Sequence, residues 1–132
     1  MSTVISAIKA LPSVLPLKPA TEPEIVDAEE QLSLRFADDY RQYLAAFGAV
    51  LADGLELTGI AKSKTRDVVS VTMQEWEINQ NVPMTLYVIE NVGIEGIVVW
   101  QDQSAQIYRS MPHNAPIKIA ASLVEYVESK KK

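Results

Sequence analysis

The spacing of the apolar residues changes at Pro83, and that change constrains the fold of this chain more than any other feature. Upstream, apolar side chains recur mostly every three or four residues, the spacing that buries one face of a helix. Downstream they come in short blocks, "MTLYVIEN", "IVVWQ" and "QIYRS", separated by the turn signals "VGIEG" (with Gly93 and Gly96) and "DQSA". Three short strands joined by tight turns predict an antiparallel meander with alternate residues in the core. After the proline-bracketed loop "MPHNAP", the segment "SLVEYVESKKK" returns to helical spacing. Ser122 and Glu125 form a capping-box pair there, and Leu123, Val124, Tyr126 and Val127 supply a face to bury. The order of elements predicts an α+β domain: N-terminal helices, a central and mainly antiparallel sheet, and a C-terminal helix packed on the sheet.

The upstream helices carry their own punctuation. "TVISAIKA" at 3–10 offers Val4, Ile5 and Ile8 at helical spacing, and Pro12, Pro16 and Pro19 then hold "LPSVLPLKPA" extended as a strap or linker. In "TEPEIVDAEEQLSL", Thr21 and Glu24 make a capping box and Pro23 is tolerated in the first turn. Ile25, Ala28 and Leu32 are expected inward, with Asp27, Glu30 and Gln31 outward. The following stretch, "FADDYRQYLAAFGAV", predicts a short helix capped by Asp38 or a neighbour, with two acids favouring its dipole and Gly48 as a left-handed stop. Tyr40, Tyr43, Leu44 and Phe47 share one face; an aromatic stripe at this spacing is core sooner than a cofactor box, with the hydroxyls expected at the rim. "DGLELTGI" reads as a turn at Asp53-Gly54 and a strand from Leu55 to Leu57. In "RDVVSVTMQEWEIN", β-branched residues argue for strand, but an Asp67 cap with Val69, Met73 and Trp76 at helical spacing argues for helix, the reading preferred.

At 132 residues the length fits one domain, with 1–20 as N-terminal helix and strap and 21–132 as the core. A composition of 48% hydrophobic and 22% charged residues is that of an ordinary globular chain rather than a disordered one. Several chemistries lack their residues. With no cysteine there is no disulfide framework, thiol nucleophile or thiolate zinc site, and the single histidine, His113, cannot build a zinc site alone. Gly93 and Gly96 sit between strands rather than before a helix, so they make a hairpin turn and not a phosphate loop. The adjacent pairs Glu29–Glu30 and Asp38–Asp39 splay on their helices rather than converge. No cofactor or metal is expected.

The net charge of −5 is unevenly distributed. Residues 22–56 hold nine acids against Arg35 and Arg41, a net −7, leaving +2 elsewhere. That argues against direct nucleic-acid binding and suits either a solvated face or attraction of a basic partner. Lys62, Lys64 and Arg66 form the one basic cluster away from the C-terminus, read as a solvated loop before an anion site. No apolar run approaches the roughly 20 residues that span a bilayer, and the N-terminus lacks the layout of a signal peptide, so a cytoplasmic protein is expected.

The run "EPEIVDAEEQLSLRFADDYRQYLAAFGAV…GLELTGI" resembles the signature of the Smi/Knr family of the SUKH superfamily. Glu29 and Leu32 match its first helix. Asp39, Tyr40, Tyr43, Leu44, Phe47 and Gly48 match the second, and Gly54, Glu56, Leu57, Gly59 and Ile60 match the strand. "DVVSVTMQEWE" and "IAASLVEYV" resemble the later helix and the close, so the likeness spans about 22–128. Ala37 stands where the family has proline, Tyr43 where phenylalanine is common, and Leu123 where an aromatic residue closes the pattern. The resemblance implies an α+β fold and a protein-binding role without catalysis. Bacterial members look like immunity proteins that block a cognate toxin, often a nuclease; fungal relatives regulate cell-wall synthesis through protein contacts. The expected partner is thus a protein, a basic toxin domain first. The candidate contacts are the acids Asp27, Glu30, Asp38, Asp53 and Glu56. A regulatory or adaptor domain of the same fold is the alternative. A small-ligand-binding domain or hydrolase ranks third and requires a pocket with converging titratable groups. The sequence leaves the oligomeric state open.

Overall fold

The computed structural model describes residues 3–52, 54–92, 94–112 and 114–130, so Asp53, Gly93, His113 and the last two lysines lie outside the described residues. Helix α1 (Val4–Lys9) leads into the strap, whose Leu15–Pro16 forms a short strand, β1. Then come α2 (Glu22–Leu32), α3 (Asp38–Phe47), β2 (Val50–Ala52), β3 (Leu55–Leu57) and α4 (Val68–Ile78). The meander β4 (Tyr87–Asn91), β5 (Val98–Gln101), β6 (Ile107–Ser110) and β7 (Ile117–Ala120) follows, closed by α5 (Leu123–Glu128). The α+β architecture expected from the sequence is the one observed.

The strands form two antiparallel sheets, β1-β2-β3 and β4-β5-β6-β7. Pro16 fits β1 because that strand is an edge, where a missing N–H costs no ladder bond. Thr58 ties the sheets together: its N–H donates to Ile89 O at 2.8 Å and its hydroxyl to Val88 O at 2.8 Å.

The larger sheet is covered on both faces. One face packs Tyr87, Ile89, Val99 and Ile107 against α1, α2, α3 and α5. The other buries Val88, Val98 and Trp100 under Val71 of α4 and the Val82–Leu86 loop. Trp100 is fully buried, and its indole N–H reaches Ser110 Oγ at 2.8 Å.

Two local expectations are corrected, the place of two tyrosine hydroxyls and the capping box of α5, and two are made more specific. The N-cap of α3 is Ala37, which makes no side-chain capping bond, and Asp38 is the first helical residue. Ala37 N–H instead donates to the Tyr87 hydroxyl at 2.9 Å, so a tertiary contact does the capping. The hydroxyls of Tyr40 and Tyr43 are not at the rim: both are buried, one paired with Thr58 Oγ1 at 2.9 Å and the other donating to Thr58 O at 2.6 Å. On α4 the buried positions are Val68, Val69, Val71, Thr72 and Glu75, while Met73 is exposed. Both faces have helical spacing, and Thr72 is drawn inward because its hydroxyl accepts from Val88 N–H at 3.0 Å. At α5, Ser122 caps as expected, but the Glu125 carboxylate accepts from Ala121 N–H rather than from the cap residue.

Candidate partner-binding surface

Helices α2 and α3 meet at Arg41. Its guanidinium grips Glu22 with two parallel bonds, Nη1–Oε1 at 3.1 Å and Nη2–Oε2 at 2.8 Å, and also donates to both oxygens of Glu29 at 3.3 Å. Glu29 additionally accepts from Phe36 N–H at 2.8 Å, fixing the break between the helices. The bonds to these carboxylates hold Arg41 above its ordinary range, and the bond from Arg41 holds the Glu22 carboxyl below its own. Side-on pairing of this kind sets geometry as well as charge.

Other acids of the 22–56 segment are also engaged within the fold. Glu24 accepts from Thr21 N–H at 2.9 Å in the capping box. Asp39 accepts from Gln101 Nε2 at 2.9 Å and from Leu123 N–H at 2.8 Å, joining α3 to the sheet and to the start of α5.

The predicted contact residues differ from these. Asp27 and Glu30 lie one turn apart on α2 and are exposed; among the described residues Asp27 accepts a side-chain bond only from its own helix neighbour Gln31, at 2.7 Å. Asp38 is exposed at the first position of α3. Glu30 lines an open cleft of about 470 Å³ with Val26, Leu34 and Arg35. Asp38 lines a second of about 480 Å³ with Arg35 and Gln103, and Arg41 borders both. The fold thus places Glu30 and Asp38 beside the α2–α3 junction, while Asp27 is exposed one turn earlier on α2 and lines neither cleft. Glu56 is exposed on β3, in the smaller sheet, and lines neither cleft; Asp53 lies outside the described residues.

Sequence reasoning missed two features of this surface. Arg35 is exposed and lines both clefts, so Glu30 and Asp38 each share a cleft with a cation. Val26 adds an apolar spot, 37% exposed, beside them. The positive residue was visible in the charge count, but its position between the acids depends on the turn after α2, where Ser33 takes a left-handed conformation. Among the described residues no group of three or more acids or histidines converges as a metal site.

The family model described as SUKH_5, SMI1-KNR4 cell-wall, matches residues 1–130. The chain belongs to the SMI1-KNR4 family. Membership supports an immunity or regulatory domain that acts by binding other proteins, and the earlier resemblance is confirmed over a longer span than the motifs covered. Among solved structures, a protein from Pseudomonas syringae pv. tomato superposes with a TM-score of 0.73 at 16% identity, covering 97% of this chain and 96% of that one. At that identity the likeness is one of fold. A comparison with curated proteins gives no match. For this SMI1-KNR4 chain, no helix among the described residues is long and apolar enough to cross a membrane.

Proposed function

We propose that this SMI1-KNR4 protein is a non-enzymatic cytoplasmic immunity protein that neutralises a basic toxin domain, such as a nuclease, by occluding it. The observation that carries the reading is the division of the acids. Glu22, Glu29 and Asp39 are bonded inside the fold, whereas Asp27, Glu30 and Asp38 face outward, the last two beside Arg35. Outward carboxylates with interspersed Arg and Val suit a charged partner whose encounter is steered electrostatically and whose docking needs a few specific contacts. Glu56, on β3, lies outside the two clefts and is a secondary contact in this reading. A regulatory or adaptor domain of the family would bind its partner by the same physics.

The test is copurification with the products of the neighbouring genes, followed by association kinetics with any basic domain so captured. Reversing Asp27 and Asp38 to Lys is expected to slow association about tenfold or more, with the wild-type rate falling as salt rises. Reversal of Glu56 is expected to have a smaller effect. A complex whose association ignores both salt and the double reversal would refute the acidic surface as the contact.

A further inference from the structure

A second cleft, away from the acidic surface, lies between the strap and the loop that leads into α4. It measures about 700 Å³, within the range of small-molecule sites. Leu17 and Pro19 on the strap and Ile60 and Ala61 on the loop give it apolar walls. Three cations line it, Lys18, Lys62 and Arg66, against one carboxylate, Glu24.

Both walls are fastened to one glycine. A Cβ on Gly48 would lie 2.0 Å from Lys18 O, so the strap runs directly against it, and Ile60 N–H donates to Gly48 O at 2.9 Å. The cleft is therefore built into the scaffold before any ligand arrives.

At its cationic end Arg66 makes no ion pair among the described residues. Arg66 Nε and Nη2 are buried with no acceptor among the described residues. The adjacent Asp67 is turned away, one oxygen taking Ala61 N–H at 3.4 Å and the other Ser70 N–H at 3.2 Å. Glu24 is held by Thr21. A half-buried guanidinium with two unpaired N–H nitrogens favours entry of an anion, and the apolar walls favour one that carries a hydrocarbon body.

We infer that this cleft binds a small amphipathic anion, its carboxylate or phosphate monoester beside Lys62 and Arg66 and its apolar body along Leu17 and Ile60. Such a group could be a free metabolite or the terminal carboxylate of a chain ending in an apolar residue. This site is separate from the acidic surface and stands whether or not that surface binds a toxin.

The test is isothermal titration of the full chain with octanoate, octyl phosphate, octylamine and inorganic phosphate. Saturable binding of the two amphipathic anions is expected, with none of octylamine and at least tenfold weaker binding of inorganic phosphate. Arg66→Met and the exposed Lys62→Glu should each weaken octanoate about tenfold. Lys64→Glu, which is outside the cleft, should leave binding unchanged. A short peptide ending in leucine, compared with its amide, distinguishes the two sources: a chain end is the ligand if the free acid binds more tightly than octanoate. Absence of saturable binding, equal affinity for octylamine, or binding untouched by Lys62→Glu would overturn the site. The exposed position of Lys62 keeps the result decisive even if Arg66→Met fails to fold.

Discussion

The Tyr87 hydroxyl is the residue on which the polar interior turns. It accepts from Ala37 N–H at 2.9 Å and donates to Gln101 Oε1 at 2.6 Å, while Gln101 Nε2 continues to Asp39. Tyr87→Phe would leave a buried amide and a buried carbonyl oxygen without partners, costing about 2–4 kcal/mol in urea-unfolding free energy. Glu75 offers a pH-dependent case. Burial raises its carboxyl above the ordinary 4.5, although Asn79 Nδ2 donates to it at 2.9 Å. The folded state therefore holds this proton to higher pH than the unfolded chain does. Its contribution is full below pH 4.5 and is lost as pH rises through the raised folded value. Glu75→Gln removes that titration, so the stability of the variant relative to wild type is expected to increase from pH 4.5 to pH 7, measured by unfolding at both values.

At the scale of elements, the crossing at Gly48 and Gly59 joins the end of α3, the strap and the approach to α4. Gly48 has φ +73°, and a Cβ at Gly59 would lie 1.8 Å from Gly48 O. Gly48→Ala is expected to destabilise by about 3 kcal/mol or more, since the methyl meets main chain rather than a yielding side chain. Thermal unfolding of the variant is the measurement. Elements with caps or strong one-face patterns were legible in the sequence: α2 from Thr21 and Glu24, α3 from its aromatic stripe, and β4 to β6 from apolar blocks between turns. Three strands were not. β1 reads only as part of an extended strap. β2 is three residues long and is defined by pairing with β3, and β7 is an edge strand whose Ile117, Lys118 and Ile119 are all exposed, so neither shows alternation. The buried face of α4 was not legible because Thr72 and Glu75 are polar and bond to partners distant in sequence, Val88 and Asn91. The candidate contacts were legible as charges, but their separation from the acids bonded inside the fold was not.

Across the whole molecule, four of the five tyrosines are buried with bonded hydroxyls: Tyr40 and Tyr43 on Thr58, Tyr87 on Gln101, and Tyr126 on Glu90. Burial pushes all four hydroxyls well above the ordinary value of 10. The folded state keeps these protons where the unfolded chain releases them, so stability falls as pH rises beyond 10. Alkaline titration should show the buried phenols ionising in one cooperative step coincident with loss of circular dichroism. Gradual ionisation of all five in the folded state would contradict the packing described. Because Arg41 fastens α2 to α3 through Glu22 and Glu29, the clasp does not draw on Asp27, Glu30 or Asp38. Those three outward positions can therefore change from one descendant to the next while the clasp beneath them stays shut.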